Sequence, residues 1–265
     1  MPFFTLNLIL IVLINLLAIL IGVLVYSHNP KGKVNRTLAL MAIFMLFWVD
    51  FAYIPRLIGK GNLELALSLL KVAWFVSPLF STSLYFLVVY LLGKEQKYKI
   101  LSKIVLSVGV LAALLTGFTD LVVESLKFVG PYLAINYGPA MIPFLGLITF
   151  LIFATLYPLY REYFRAPFAL KLKLQYLLIG ISIFYLGNLI FNIALPLLFN
   201  IVHFYWIGDY SAIFLLGFTG YAIVARQLFG IKIILIQALV GIIAILLLVS
   251  TITALPNLFD FSWKF

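Results

Sequence analysis

The chain has 265 residues, 65% of them hydrophobic and 10% charged, with a mean hydropathy of +1.21 and a formal charge of +10. A soluble domain carries about 25% charged residues and roughly half apolar ones, so a water-soluble protein is excluded; the absence of cysteine removes disulfide frameworks, thiol nucleophiles and Cys-based metal sites. The apolar excess points to a bilayer, whereas the basic excess taken alone would also suit nucleic acid or anionic lipid.

A helix crossing the ~30 Å hydrocarbon layer needs about 20 mostly apolar residues. In chain order, such spans are predicted at residues 5–26, 37–58, 69–92, 102–121, 139–160, 174–196, 207–229 and 233–255. The first lacks the leading Lys or Arg of a signal peptide, and its apolar run exceeds the usual length of about 7–15 residues, so it reads as an uncleaved helix. The expected fold is an all-α polytopic transmembrane bundle whose repeating unit is helix and short loop. Seven core helices lie within residues 1–232, and an eighth helix with a short tail occupies residues 233–265.

Lys and Arg set the orientation. Lys31, Lys33 and Arg36 fall in the first connection, Lys94, Lys97, Lys99 and Lys103 in the third, Arg161, Arg165, Lys171 and Lys173 in the fifth, and Arg226 and Lys232 in the seventh, against only Glu95 and Glu162. The opposite side balances Arg56, Lys60, Lys71, Lys127 and Lys264 with Asp50, Glu64, Asp120, Glu124, Asp209 and Asp260. The odd connections are therefore expected in the cytoplasm and the N-terminus outside a multi-pass plasma-membrane protein. The positive charge belongs to topology and to the lipid bilayer as partner. No nucleic acid is implied, because no basic platform interleaved with aromatics appears.

Ionisable side chains at membrane depth are costly, roughly 2.5–3.5 kcal/mol for a central Asp on the insertion scale. Asp50 lies about two residues outward of its span's centre, or ~3 Å along the helix. Asn15, Ser77 and Asn188 sit at comparable depth and are the expected immediate partners, directly or through a water bridge; Lys71 is too far along the membrane normal unless it snorkels. Asn188 and Asn192 are four residues apart and share a face, as do Lys71, Trp74, Pro78, Ser81 and Tyr85. Above them the outer ends are rich in Tyr53, Arg56, His203, Tyr205, Trp206, Asp209 and Tyr210. The residues Asp50, Tyr53, Lys71, Trp74, Asn188 and Asn192 define a candidate ligand pocket in the outer half of the bundle. The alternative is an aromatic belt with interhelical hydrogen bonds. Pro78 and Pro158 either kink their spans or are ordinary membrane-helix prolines.

No His-Glu-x-x-His, Gly-x-Ser-x-Gly, Walker loop or paired Asp-rich motif occurs, and the only histidines are His28 and His203. No catalytic residue, metal or cofactor is expected. Gly59-Lys60-Gly61-Asn62 lacks the strand-to-helix setting of a phosphate loop.

Two segments carry a resemblance. The first connection reads Ser27-His28-Asn29-Pro30-Lys31-Gly32-Lys33-Val34-Asn35-Arg36 and leads into a span containing Trp48, while the seventh span exits as Tyr221-Ala222-Ile223-Val224-Ala225-Arg226-Gln227-Leu228-Phe229-Gly230-Ile231-Lys232. Both resemble the seven-transmembrane N-terminal sensor region of bacterial histidine kinases, also found ahead of some diguanylate cyclases. In that family the exit usually has basic residues where this chain has Ala225 and Gln227, and often Asp in place of Gly230. The resemblance implies a sensor domain over residues 1–232 that takes an input outside or within the membrane. It passes the input by helix movement through an exit segment marked by Tyr221, Arg226 and Phe229. No phosphoacceptor helix or ATP-binding domain follows. The expectation is a signal-input module without its own output, either truncated or free-standing, acting through a separate kinase or cyclase and open to homodimerisation. The competing reading is a small-molecule transporter or permease subunit built on Asp50, Asn188 and the proline-bearing spans. An intramembrane lipid enzyme ranks last for want of a catalytic constellation.

Overall fold

A computed structural model describes residues 2–130 and 132–225, with side chains from residue 7 to residue 222 apart from residues 131 and 169. Its elements are α1 (Pro2–His28), α2 (Lys33–Ile58), α3 (Leu63–Leu91), α4 (Lys99–Phe118), β1 (Val123–Val129), β2 (Tyr132–Tyr137), α5 (Met141–Arg165), α6 (Phe168–Gly187), a π-helical segment (Asn188–Ala194), α7 (Leu195–Phe199) and α8 (Tyr205–Ala225). Among the described residues, six helices are long and apolar enough to cross a membrane, the sixth running from Leu170 to Phe199 through the π-helical segment. The architecture is that of a multi-pass helical membrane protein. The eighth predicted span, together with Arg226 and Phe229 of the exit segment, lies outside the described residues.

The helices close into a ring. α1 packs on α2, α2 on α3, α3 on α4, α4 on α5, α5 on α6, α6 on α8 and α8 back on α1, while α3 also reaches across to α5. The Lys71 to Tyr85 stripe explains that central place: Pro78, Ser81 and Tyr85 are buried, and Tyr85 is fully enclosed. α3 starts on Asn62, whose side-chain oxygen accepts from the Leu65 N–H at 2.9 Å, with Glu64 favouring the positive end of the helix dipole.

Two features depart from a bundle of plain helices and short loops. The fourth connection folds into an antiparallel hairpin, with Leu126 opposite Ile135 and Phe128 opposite Leu133. The chain leaves β1 at Gly130, whose φ of 59° lies in the left-handed region that favours glycine. The second departure is in the sixth span. Pro196 has no N–H, and its ring presses on the carbonyl four residues back. The helix answers by widening, so that the Leu195 N–H reaches the Ile190 oxygen, five residues back. α3 and α5 run through Pro78 and Pro158 as continuous helices, so the interruption falls in the sixth span and not in the third or fifth. The span ends at Asn200, in the left-handed conformation with φ 54°.

At the end of the bundle away from the hairpin, ion pairs tie the connections together. Lys33 pairs with Glu95 at 2.9 Å and Lys97 with Glu162. The Lys33 ammonium beside Glu95 holds that carboxyl below the usual carboxylate range.

Candidate functional site

A cavity of about 150 Å³ opens at the hairpin end, between α2, α3, α5, the sixth span and α8. Its floor is aromatic: Trp48 meets Phe184 edge-on at 5.6 Å, and Phe80 lies 5.2 Å from Phe184. Trp74 forms a wall, 5.5 Å from Phe144 and 6.3 Å from Tyr137. The hairpin is the roof, where Leu133, Ala134, Ile135 and Tyr137 of β2 line the cavity, with Leu126 contributed from β1. Burial pushes the Tyr137 phenol up to about 12, so it stays protonated across the physiological range. A polar groove with Glu124, Lys127, Asn136 and Asn200 adjoins the cavity, and Ile135, Tyr137 and Pro196 line both.

The polar end of the cavity is a chain of side chains from three elements. Arg56 of α2 pairs with Asp209 of α8 and stacks on the Tyr205 ring, its guanidinium carbon 3.6 Å from the ring centre. Asp209 is 2% exposed as a residue. Its second oxygen accepts from Asn192 at 3.1 Å, and Asn192 also donates to Asn188 at 2.8 Å. Asn188 then donates to Ser211 Oγ at 2.9 Å, returning to α8. The amide ladder explains why Asn188 and Asn192 lie in the π-helical segment. Both are four residues apart on one face and bridge the sixth span to α8 while lining the cavity.

The sequence-selected residues divide into two groups. Trp74, Asn188 and Asn192 line the cavity, whereas Asp50, Tyr53 and Lys71 are not among its lining residues. Asp50 accepts from the Asn15 amide of α1 at 2.6 Å, so of the three expected partners it is Asn15 that meets it. Tyr53 is buried, and its hydroxyl has no partner among the described residues. Lys71 pairs with Asp120 at the foot of the hairpin. Tyr221, on α8, stacks edge-on with Tyr176 at 4.5 Å. The residues passed over are Arg56 and Asp209, seen in the sequence only as members of an outer charged layer, and the hairpin side chains. The alternation of Leu133, Ile135 and Tyr137 after a Gly-Pro turn was the available signal for the hairpin. Nothing local pairs Arg56 with a residue 153 positions away.

The Asn15–Asp50 contact has a direct test. Asn15→Leu removes the amide that donates to Asp50 and is expected to destabilise the chain by about 1 kcal/mol, the lower end of the cost of an acceptor left unmatched, because the contact is only part-buried. Asn15→Leu/Asp50→Leu should recover most of it. Unfolding in mixed micelles reads both.

Compared with known proteins, the chain matches no family model, no curated sequence and no solved structure.

Proposed function

We propose that the chain is a membrane-embedded sensory module of the histidine-kinase type. It receives a small ligand in the cavity under the hairpin and relays occupancy through α8. In this reading the hairpin end lies outside the plasma membrane and the lysine-rich end faces the cytoplasm. A seven-helix sensor over residues 1–232 is followed by an eighth span. A separate cytoplasmic kinase or cyclase supplies the output, and homodimerisation is one way to present α8 to it.

One observation carries the reading: the groups that line the polar end of the cavity are also the groups that join the sixth span to α8. Asp209 and Asn192 touch each other and both line the cavity, so a ligand that competes for either side chain changes the contact between the π-helical segment of the sixth span and α8. α8 leads directly toward the segment whose sequence carries the resemblance. A transporter has one supporting feature, the non-α-helical backbone of the sixth span beside the cavity. The two readings separate in one preparation. The full chain in nanodiscs is expected to gain thermal stability with benzene-sized fragments. Trp74→Ala should weaken that binding by about tenfold or more, as loss of a buried aromatic anchor does. The same fragments should show no saturable uptake into vesicles containing the chain; uptake with turnover overturns the sensory reading in favour of transport.

A further inference from the structure

The charge balance of the cavity, and the way its charged groups are already used, specify the head group of the ligand. This rests on the sensory-cavity reading above. Arg56 and Asp209 are the only charged side chains among the described residues that line the cavity, one of each sign. Asp209 has both oxygens occupied, one by Arg56 and one by Asn192. Arg56 is used differently: among the described residues its only hydrogen-bond partner is Asp209, although a guanidinium carries five N–H donors. Asn192 keeps an unmatched side-chain oxygen, but that atom abuts Gly208, where a Cβ would fall 2.5 Å from it. Both Asp209 oxygens are engaged and its side chain is enclosed, 3% exposed against 19% for Arg56, so the charged donor is the more accessible of the two.

We propose that the cavity selects a small, uncharged, mostly apolar molecule that presents a hydrogen-bond acceptor to Arg56: a ketone, ester or lactone with a compact apolar body. Size sets the body, because an apolar cavity of about 150 Å³ holds a benzene-sized molecule, and the aromatic floor and walls suit a ring or branched chain. Charge sets the head. A cation would face an enclosed carboxylate whose two oxygens are already engaged, and a guanidinium of its own sign. A carboxylate would be a second anion around one arginine, with desolvation not repaid. A neutral acceptor takes a free guanidinium N–H without disturbing the pair.

The logic yields a switch. Asp209→Asn keeps the shape and an oxygen for Arg56 but leaves the cavity with a net positive charge, so its preference should pass from the neutral acceptor to the anion. The test uses the full chain in nanodiscs and four probes with one ring: acetophenone, ethylbenzene, benzoate and benzylamine. The wild type should bind acetophenone about tenfold tighter than ethylbenzene, the worth of one hydrogen bond to a charged group, and tighter than benzoate or benzylamine. Asp209→Asn should bind benzoate tighter than acetophenone. Equal binding of acetophenone and ethylbenzene by the wild type, or its preference for either charged probe, overturns the head-group assignment while leaving the cavity standing. Binding of none of the four overturns the cavity reading itself. The wild-type series decides the matter even if the variant does not fold.

Discussion

Asp209→Ala is expected to destabilise the folded chain by about 3 kcal/mol, at the lower end of the range for breaking a buried ion pair from one side. The asymmetry of the pair sets the direction. The Asp209 side chain is 3% exposed and that of Arg56 is 19% exposed, so the aspartate is the member that cannot fall back on water. Removing it leaves the guanidinium on the Tyr205 ring with no counter-charge, and it also strips the Asn192 amide of an acceptor. A cation over an aromatic face recovers only about 0.5–2 kcal/mol, and limited access of water to Arg56 keeps the loss below the 5 kcal/mol or so seen for fully buried pairs. Replacing both partners, as Arg56→Met/Asp209→Leu, should restore stability to within about 1 kcal/mol of the wild type, since apolar groups of similar volume substitute well for a buried pair. Reversible unfolding in mixed micelles gives both values. A single-variant loss under about 1 kcal/mol would mean that the pair is solvated and adds no more than an exposed salt bridge does.

That pair also shows where sequence reasoning reaches its limit. The span positions among the described residues, the burial of Pro78, Ser81 and Tyr85 on α3 and the shared depth of Asn15 and Asp50 follow from local quantities: hydropathy over a window, helical periodicity and depth counted in residues. The hairpin was equally local in its signal, but a strong membrane pattern on both sides drew the fourth connection into the class of short loops. The π-helical segment could be read only from the interplay of Pro196 with the carbonyl of Asn192. The site was harder. Depth alone put Asp50 and Asn188 in one layer, yet Asp50 turns toward α1 and Asn188 toward α8. Which helix neighbours which is fixed by ring closure, a property of the whole chain that no spacing within α2 or the sixth span encodes.

Gly138→Ala is expected to detach the roof of the cavity without unfolding the bundle. Gly138 follows β2 directly, and a Cβ there would fall 2.4 Å from the Leu121 oxygen and 2.5 Å from the Asp120 oxygen. Those atoms are backbone, and the crossing is pinned: the Gly138 N–H donates to Val122 O at 3.0 Å and the Ala140 N–H to Leu121 O at 2.8 Å. No side-chain rotation relieves the clash, so the chain must give up one or both bonds at about 1 kcal/mol each, besides roughly 1–3 kcal/mol of overpacking. The cost, about 3 kcal/mol, falls on a two-stranded hairpin, an element of marginal stability by itself. It should therefore appear as local opening. Amide protection across β1 and β2 is expected to drop about a hundredfold while protection in α3 is retained, and ligand binding should weaken as Tyr137 leaves Trp74. Gly146→Ala is the control: a Cβ at that α5 position meets nothing within 4 Å, so exchange should be unchanged. Equal protection of the hairpin in both variants would show that the root of the roof has room that the Asp120 and Leu121 carbonyls deny it here, and that the hairpin is held by its face alone.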